Sequence, residues 1–484
     1  MTLVRDAVRG ALWTISSGIG SRAIGLVGTL LITRFITPAD YGEVAVAVVM
    51  VMTANQMTTL GFGQFLVARP HTPRSVAFHA TTFHIALGVL AVALLLTFAG
   101  RLGPSLGAQG MTKFLPGLVA SGFLERIGYV PERILVRDVR FGKVSAVRTL
   151  GDLSYSVVAV GLAAAGWGGV AIVMGNVVRS LLRTAAFIVA VERRDWFQPC
   201  RLSLRASREL FSFGVPLAIA ALCSFAARRW DNLLVSHFFG AETTGMYNLA
   251  YNLADVPAIQ VGEQIGDVLL PSFARMNPAR RPDALVRSIR LLALVVFPLA
   301  IGLGAVAPTL VAVVFDARWQ SIAPMLVLLS ALSITRPIGW TIEAYLQARQ
   351  MPRHILLLSV FRLLALVFVI CTLGRFGPLF TCVAVGVAFG AHAIAALWVV
   401  RALDGVALRR SLGSLVPAFA ACVPMVAAVL GVRYLLLFRD SPVASLATEV
   451  LAGAAAYVLA TLVVARESSR EVLTRVIDAL GRHS

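Results

Sequence analysis

The chain reads as an all-α integral membrane protein: about 14 transmembrane helices in two six-helix lobes, a parallel pseudo-two-fold repeat, plus two C-terminal helices. Three observations predict this class. Only 14% of the residues are charged and 58% are hydrophobic, whereas an ordinary soluble domain is about a quarter charged. Apolar runs recur at the length of roughly 20 residues that a helix needs to cross about 30 Å of hydrocarbon. A stretch near residue 30 also returns 203 positions later, and internal repetition of this kind sets the frame for everything else.

The elements follow in order. The first apolar run, from about Ala11 to Ile32, is too long for a signal-peptide core and continues straight into the repeat, so no cleavable leader is expected. Spans centre near Arg22, Met52, Leu90, Glu125, Val158 and Val178. A second series centres near Leu222, Ile259, Pro298, Leu332, Leu363 and Gly390, and two more spans centre near Val426 and Ala456. The expected limits are 1–191 for the N-lobe, 192–209 for a cytoplasmic linker, 210–404 for the C-lobe and 405–484 for helices 13 and 14 with a tail. In the linker, Trp196 and Phe197 either rest in the lipid interface or belong to a plain amphipathic connector.

The net charge of +19 does not point to nucleic acid, because the basic residues are dispersed between apolar runs rather than gathered on one soluble domain. They read as topology signals. With the N-terminus inside, alternate loops carry Arg69 and Arg74, then Arg137, Arg140, Lys143 and Arg148, then Arg193, Arg194, Arg201, Arg205 and Arg208. Later inside segments carry Arg275, Arg280, Arg281 and Arg287, then Arg349 and Arg353, then Arg409 and Arg410, then a tail with Arg470, Arg475 and Arg482, while the opposite loops hold little beyond Arg34, Arg101, Lys113, Arg318, Arg375 and Arg439. Excess Lys and Arg marks the cytoplasmic side, so both termini are expected there. Five scattered cysteines without C-x-x-C spacing give no metal site or disulfide framework.

The repeat is specific. Leu30-Leu31-Ile32-Thr33-Arg34-Phe35 precedes a turn ending at Gly42, and Leu233-Leu234-Val235-Ser236-His237-Phe238 precedes one ending at Gly245. Six spans separate the turns, so both are expected on the external face, and the halves are parallel repeats about an axis along the membrane normal.

At these residues the chain resembles a known family. Gly10-Ala11-Leu12-Trp13, the run Thr33 to Gly42, and Leu60-Gly61-Phe62-Gly63 are similar to the N-terminal signature of polysaccharide-biosynthesis flippases. Asp231 with Gly240 to Gly245, Tyr247-Asn248-Leu249-Ala250-Tyr251 and Leu270-Pro271 resemble the seventh and eighth helices of the same family. These are the Wzx-type translocases of the multidrug/oligosaccharidyl-lipid/polysaccharide exporter superfamily. The resemblance implies alternating access around a central cavity in a bacterial inner membrane. It also implies that undecaprenyl-pyrophosphate-linked oligosaccharide passes to the outer leaflet, with the lipid bilayer, a polysaccharide polymerase and other assembly proteins as partners.

Charges at mid-membrane cost about 2.5–3.5 kcal/mol each on insertion scales and face a cavity or a partner. Arginine dominates the central set here, and a guanidinium fork suits phosphate oxygens. Arg22, Arg228, Arg229, Arg336 and Arg362 are therefore the expected cavity residues for a pyrophosphate. For Asp231, Asp255, Glu125 and Arg126 two roles stand open, ion coupling and structural pairing. Arg228 and Asp231, three apart, either neutralise each other or act separately. Glu125 and Arg126 diverge in direction, so each is expected to meet a different helix. Histidines 79, 84, 237 and 392 are expected to be structural. No nucleotide loop, triad or metal-ligand spacing stands out, so no enzyme, cofactor or metal is expected. The alternatives are a drug or metabolite exporter of the same superfamily and a membrane glycosyltransferase or polymerase. The acid-poor centre counts against cationic drugs, and the absence of a large external loop counts against the second.

Overall fold

The structure, a computed structural model, describes residue 25 and residues 27–69, 73–138, 140–435 and 441–464, with only the helical path given at 68 and 256–268. Among the described residues there are helices and no strands. Nine helical segments among the described residues are long and apolar enough to cross a membrane. Three more helices reach span length with a more polar sequence: α2 (Pro38–Thr58), α5 (Leu115–Arg137) and α6 (Phe141–Ala164). The helix before α2, α1, is described over 27–32.

The chain packs as two compact units, Met1–Asn248 and Leu249–Ser484. The first unit also holds α3 (Phe62–Ala68), α4 (Arg74–Ser105), α7 (Val170–Ala190), the short α8 (Arg193–Trp196) and the first half of α9 (Leu204–Arg275). Two apolar cores serve it. One gathers Ile36, Val46, Met111, Phe114 and Ala171, and the other gathers Phe62, Phe65, Ile134, Phe187 and Leu210.

Helix α9 contains a sharp break. Gly240 takes φ 78° and ψ 178°, a backbone that a side chain would strain, so the helix stops and restarts there. The restarted segment lies against the start of α2. A Cβ on Gly42 would run into the Ala241 carbonyl oxygen and come within 2.8 Å of the Gly245 nitrogen. A Cβ on Gly245 would meet the Pro38 carbonyl and stand 3.0 Å from the Gly42 nitrogen. The two repeat glycines thus face each other across a backbone-to-backbone contact. Nearby, Ser236 donates to the Leu106 carbonyl, and His237 Nδ1 lies 2.6 Å from the Ser105 carbonyl oxygen. These contacts place residues up to 248 in the first unit, whereas the expected lobe limits follow the repeat.

The linker docks on protein. Trp196 is buried in the second core, and Thr81 Oγ1 donates to its carbonyl at 3.3 Å. The lipid-interface reading of Trp196 therefore gives way to anchoring on α4. His79 fastens the same segment: its Nε2 accepts from the Ser203 amide at 2.7 Å while Nδ1 faces the Ser75 carbonyl at 2.6 Å.

The second unit contains α10 (Arg281–Val314), α11 (Ile322–Leu332), α12 (Arg336–Ala348), α13 (Pro352–Thr372) and α14 (Pro378–Asp404). The short α15 (Leu408–Gly413), α16 (Val416–Tyr434) and α17 (Pro442–Val464) complete it. A 3-10 turn, Ser333–Thr335, separates α11 from α12. Pro337 follows it in the first turn of α12, where its missing N–H costs nothing.

Candidate functional site

Each intramembrane charge has a distinct setting. On α5, Arg126 is buried and reaches the C-terminal turn of α2. Its Nε donates to Asn55 Oδ1 at 3.0 Å, its Nη2 to the Asn55 carbonyl at 3.1 Å and to the Thr58 hydroxyl, and its Nη1 to the His84 carbonyl at 3.1 Å. The carbonyl end of a helix carries partial negative charge, so it compensates a guanidinium without a carboxylate. Gly88 leaves the room: a Cβ there would stand 2.5 Å from Arg126 Cδ. Arg126 therefore ties three helices together.

Glu125 turns the other way, toward α7. It accepts from Ser180 Oγ at 3.0 Å, and Arg179 Nη2 stands 3.9 Å away. The divergence expected from adjacent positions is what the fold displays. Glu125 also lines a cavity of about 410 Å³ together with Tyr129, Glu132, Arg148 and Arg183. Two ion pairs border it, Arg148 with Glu132 and Arg183 with Asp152.

On α9, Asp231 is only 1% exposed. Tyr247 donates to its Oδ2 at 2.7 Å, across the Gly240 break, and its Oδ1 accepts from Asn232 through the backbone at 2.9 Å and the side chain at 3.1 Å. Arg229 lies close enough to act on it electrostatically. Arg228 is exposed, and among the described residues no ion pair joins it to Asp231. Mutual neutralisation of Arg228 and Asp231 thus gives way to a tyrosine-closed carboxyl beside an open arginine. Trp230, between them, donates its indole N–H to Thr53 Oγ1 on α2 at 3.2 Å.

In the second unit, Arg336 and Asp255 form an ion pair. The guanidinium also lies over the rings of Tyr251 and Phe389, at 5.8 and 5.4 Å. Because α12 begins at Arg336, a bare cation there would oppose the positive end of the helix dipole, and Asp255 offsets that. Arg362 lines a cavity of about 20 Å³ with Glu343, Ser359 and His392. Arg22 lies outside the described residues. The structure thus gathers Asp231 with Arg229, and Arg336 with Asp255, while Arg126 and Glu125 serve separate helix contacts.

Sequence reasoning missed an ion pair between the half-buried Arg433 on α16 and the buried Glu449 on α17. Glu449 is fully buried and takes Arg433 Nη2 at 2.7 Å and Thr309 Oγ1 of α10 at 2.8 Å. Arg433 also donates to the Ala305 carbonyl at 2.7 Å. The signal was present: Glu449 is the lone acid in the run Pro442–Val464, and a charge in such a run needs a named partner.

The fold has known counterparts. It superposes on the lipid II flippase MurJ in an inward closed conformation with a TM-score of 0.78, at 13% identity, covering 94% of this chain and 99% of that one. An inward-facing multidrug resistance MATE family transporter of the MOP superfamily gives 0.63 at 16% identity, over 79% and 96% of the two chains. At these identities the likeness concerns the fold alone.

The sequence narrows the class further. Residues 31–324 match the family model described as Polysaccharide biosynthesis protein, and the chain belongs to that family. Lipopolysaccharide biosynthesis protein WzxC of Escherichia coli K12 is 23% identical over 72% of this chain and 71% of its own length. Teichuronic acid biosynthesis protein TuaB of Bacillus subtilis 168 is 26% identical over 69% and 70%. Succinoglycan biosynthesis transport protein ExoT of Rhizobium meliloti 1021 is 27% identical over 67% and 66%. The chain is thus a member of the polysaccharide biosynthesis protein family with the fold of these transporters.

Proposed function

We propose that this protein moves undecaprenyl-pyrophosphate-linked oligosaccharide from the cytoplasmic to the outer leaflet of the inner membrane by alternating access. The product then passes to a polymerase and other assembly proteins for exopolysaccharide, capsule or O-antigen. In this reading the chain has two six-helix lobes, 1–191 and 210–404, transport uses a basic central cavity, and both termini are cytoplasmic. Arg22, Arg228, Arg229, Arg336 and Arg362 are its basic residues, with Arg336 also held by Asp255. Asp231, closed by Tyr247, is the candidate for a coupled ion.

The observation that carries the reading is Arg228. It is an exposed guanidinium on an apolar helix, and the adjacent acid is already satisfied by other groups. A cation with no ion pair among the described residues suits an anionic ligand at membrane depth, and a fork of donors suits a pyrophosphate.

The test measures surface glycan and accumulated lipid-linked precursor in cells carrying each variant at matched expression. Arg228→Ala with Arg229→Ala should stop export and pile up precursor, whereas the lysine pair should retain part of the flux. Normal export by the double alanine protein would remove the anion-binding role.

A further inference from the structure

The segment that joins α7 to α9 has two sides, and one of them is spent on the protein. Asp195 pairs with Arg74 at 3.0 Å, and Glu209 pairs with Arg69 at 3.4 Å and stands 3.9 Å from Arg205. The Ser203 amide is held by His79, and Trp196 is buried in the core below. Asp195 and Glu209 are thereby committed, and Glu192 is the remaining acid between 192 and 209.

The other side carries what is left over. Arg194, Arg201 and Arg208 are exposed, and among the described residues no carboxylate pairs with them. Leu202 is 52% exposed and Leu204 90%. Leu204 and Arg208, four apart, share one face of the first turns of α9. Exposed leucines gain nothing in water, and these guanidiniums lack a counter-ion. Arginines interleaved with apolar side chains are the composition of a segment that lies in the headgroup layer.

Position supplies the partner. Helix α7 ends at Ala190 and α9 starts at Leu204, and both are long and apolar enough to cross a membrane. The chain therefore leaves the hydrocarbon within a few residues of these side chains, and the nearest extended surface is the leaflet itself. A guanidinium offers a planar fork to phosphate oxygens, and anionic lipids attract a basic segment that flanks a span.

We propose that the free side of this linker binds anionic phospholipid headgroups. Arg194, Arg201 and Arg208 meet the phosphates, and Leu202 and Leu204 enter the layer beneath. The choice of the cytoplasmic leaflet rests on the topology proposed above. Arg208 precedes Arg228 by 20 positions, about 30 Å along the helix, so the lipid site does not compete for the pyrophosphate.

The test compares the full-length protein in nanodiscs of phosphatidylglycerol and of phosphatidylcholine, by amide hydrogen exchange over the peptide 197–205. Exchange should be about fivefold slower in phosphatidylglycerol, the worth of one arginine near an anionic surface. Salt at about 1 M, where the screening length falls to about 3 Å, should remove the difference. Arg194→Gln with Arg201→Gln and Arg208→Gln should remove it too; these are exposed changes that leave Trp196 and His79 in place. Arg409→Gln with Arg410→Gln, basic residues of another segment, should leave it intact. Equal exchange of the wild-type protein in both lipids overturns the proposal, as does a difference that survives the triple change or is lost equally in the control pair. The topology reading fails separately, by a reporter fusion at Gln198 that reads external while the exchange difference persists.

Discussion

Replacing Gly42 or Gly245 by alanine tests the close contact between the two repeats. Each new methyl would overlap a carbonyl oxygen, that of Ala241 for Gly42 and that of Pro38 for Gly245. The obstacle in both cases is backbone, so no rotamer change relieves it and the segments must separate. Overpacking costs about 1–3 kcal/mol, and rigid neighbours put this site at the upper end of that range. Alanine returns up to about 1 kcal/mol by favouring the helix, which leaves a net loss of about 1–2 kcal/mol. The control is Gly390→Ala on α14, where nothing lies within 4 Å of the new Cβ and only the helix gain remains. Thermal unfolding of the detergent-solubilised protein should fall by several degrees for Gly42→Ala and Gly245→Ala, and hold or rise for Gly390→Ala. The double variant should lose less than the sum of the singles, because both press on the same contact. Melting of either single variant at or above the wild-type temperature would refute the packing argument.

Two other predictions concern the clamp on the last helices and the topology. Arg433→Ala strands the buried Glu449 carboxylate, at about 3–5 kcal/mol, and should lower the melting temperature sharply, whereas Glu449→Ala leaves a partly exposed Arg433 and should lower it less. Arg433→Met combined with Glu449→Leu should recover most of it, and single variants that melt like wild type would show that the pair does not hold α16 and α17 to α10. Reporter fusions after Gly42 and after Gly245 should read external and a fusion at Ser484 internal; a cytoplasmic reading at either turn would break the repeat assignment.

The sequence by itself determined the class. Low charge density and recurring apolar runs leave a chain no stable option outside a bilayer, because so much apolar surface cannot be covered in water. The repeat of the Gly42 and Gly245 turns was equally legible, since the leucines and the turn glycine stand in the same order twice. Local spacing also showed that Glu125 and Arg126 meet different helices, because adjacent helical positions point about 100° apart.

Only the tertiary structure decided which charges are committed. Asp231 could be assigned to Arg228 from spacing on one turn, yet Tyr247 reaches it across the Gly240 break, 16 positions on. Arg336 meets Asp255 across 81 positions, and Arg126 finds neutral acceptors 68 to 71 positions away. Partners so remote in the chain leave no periodic trace.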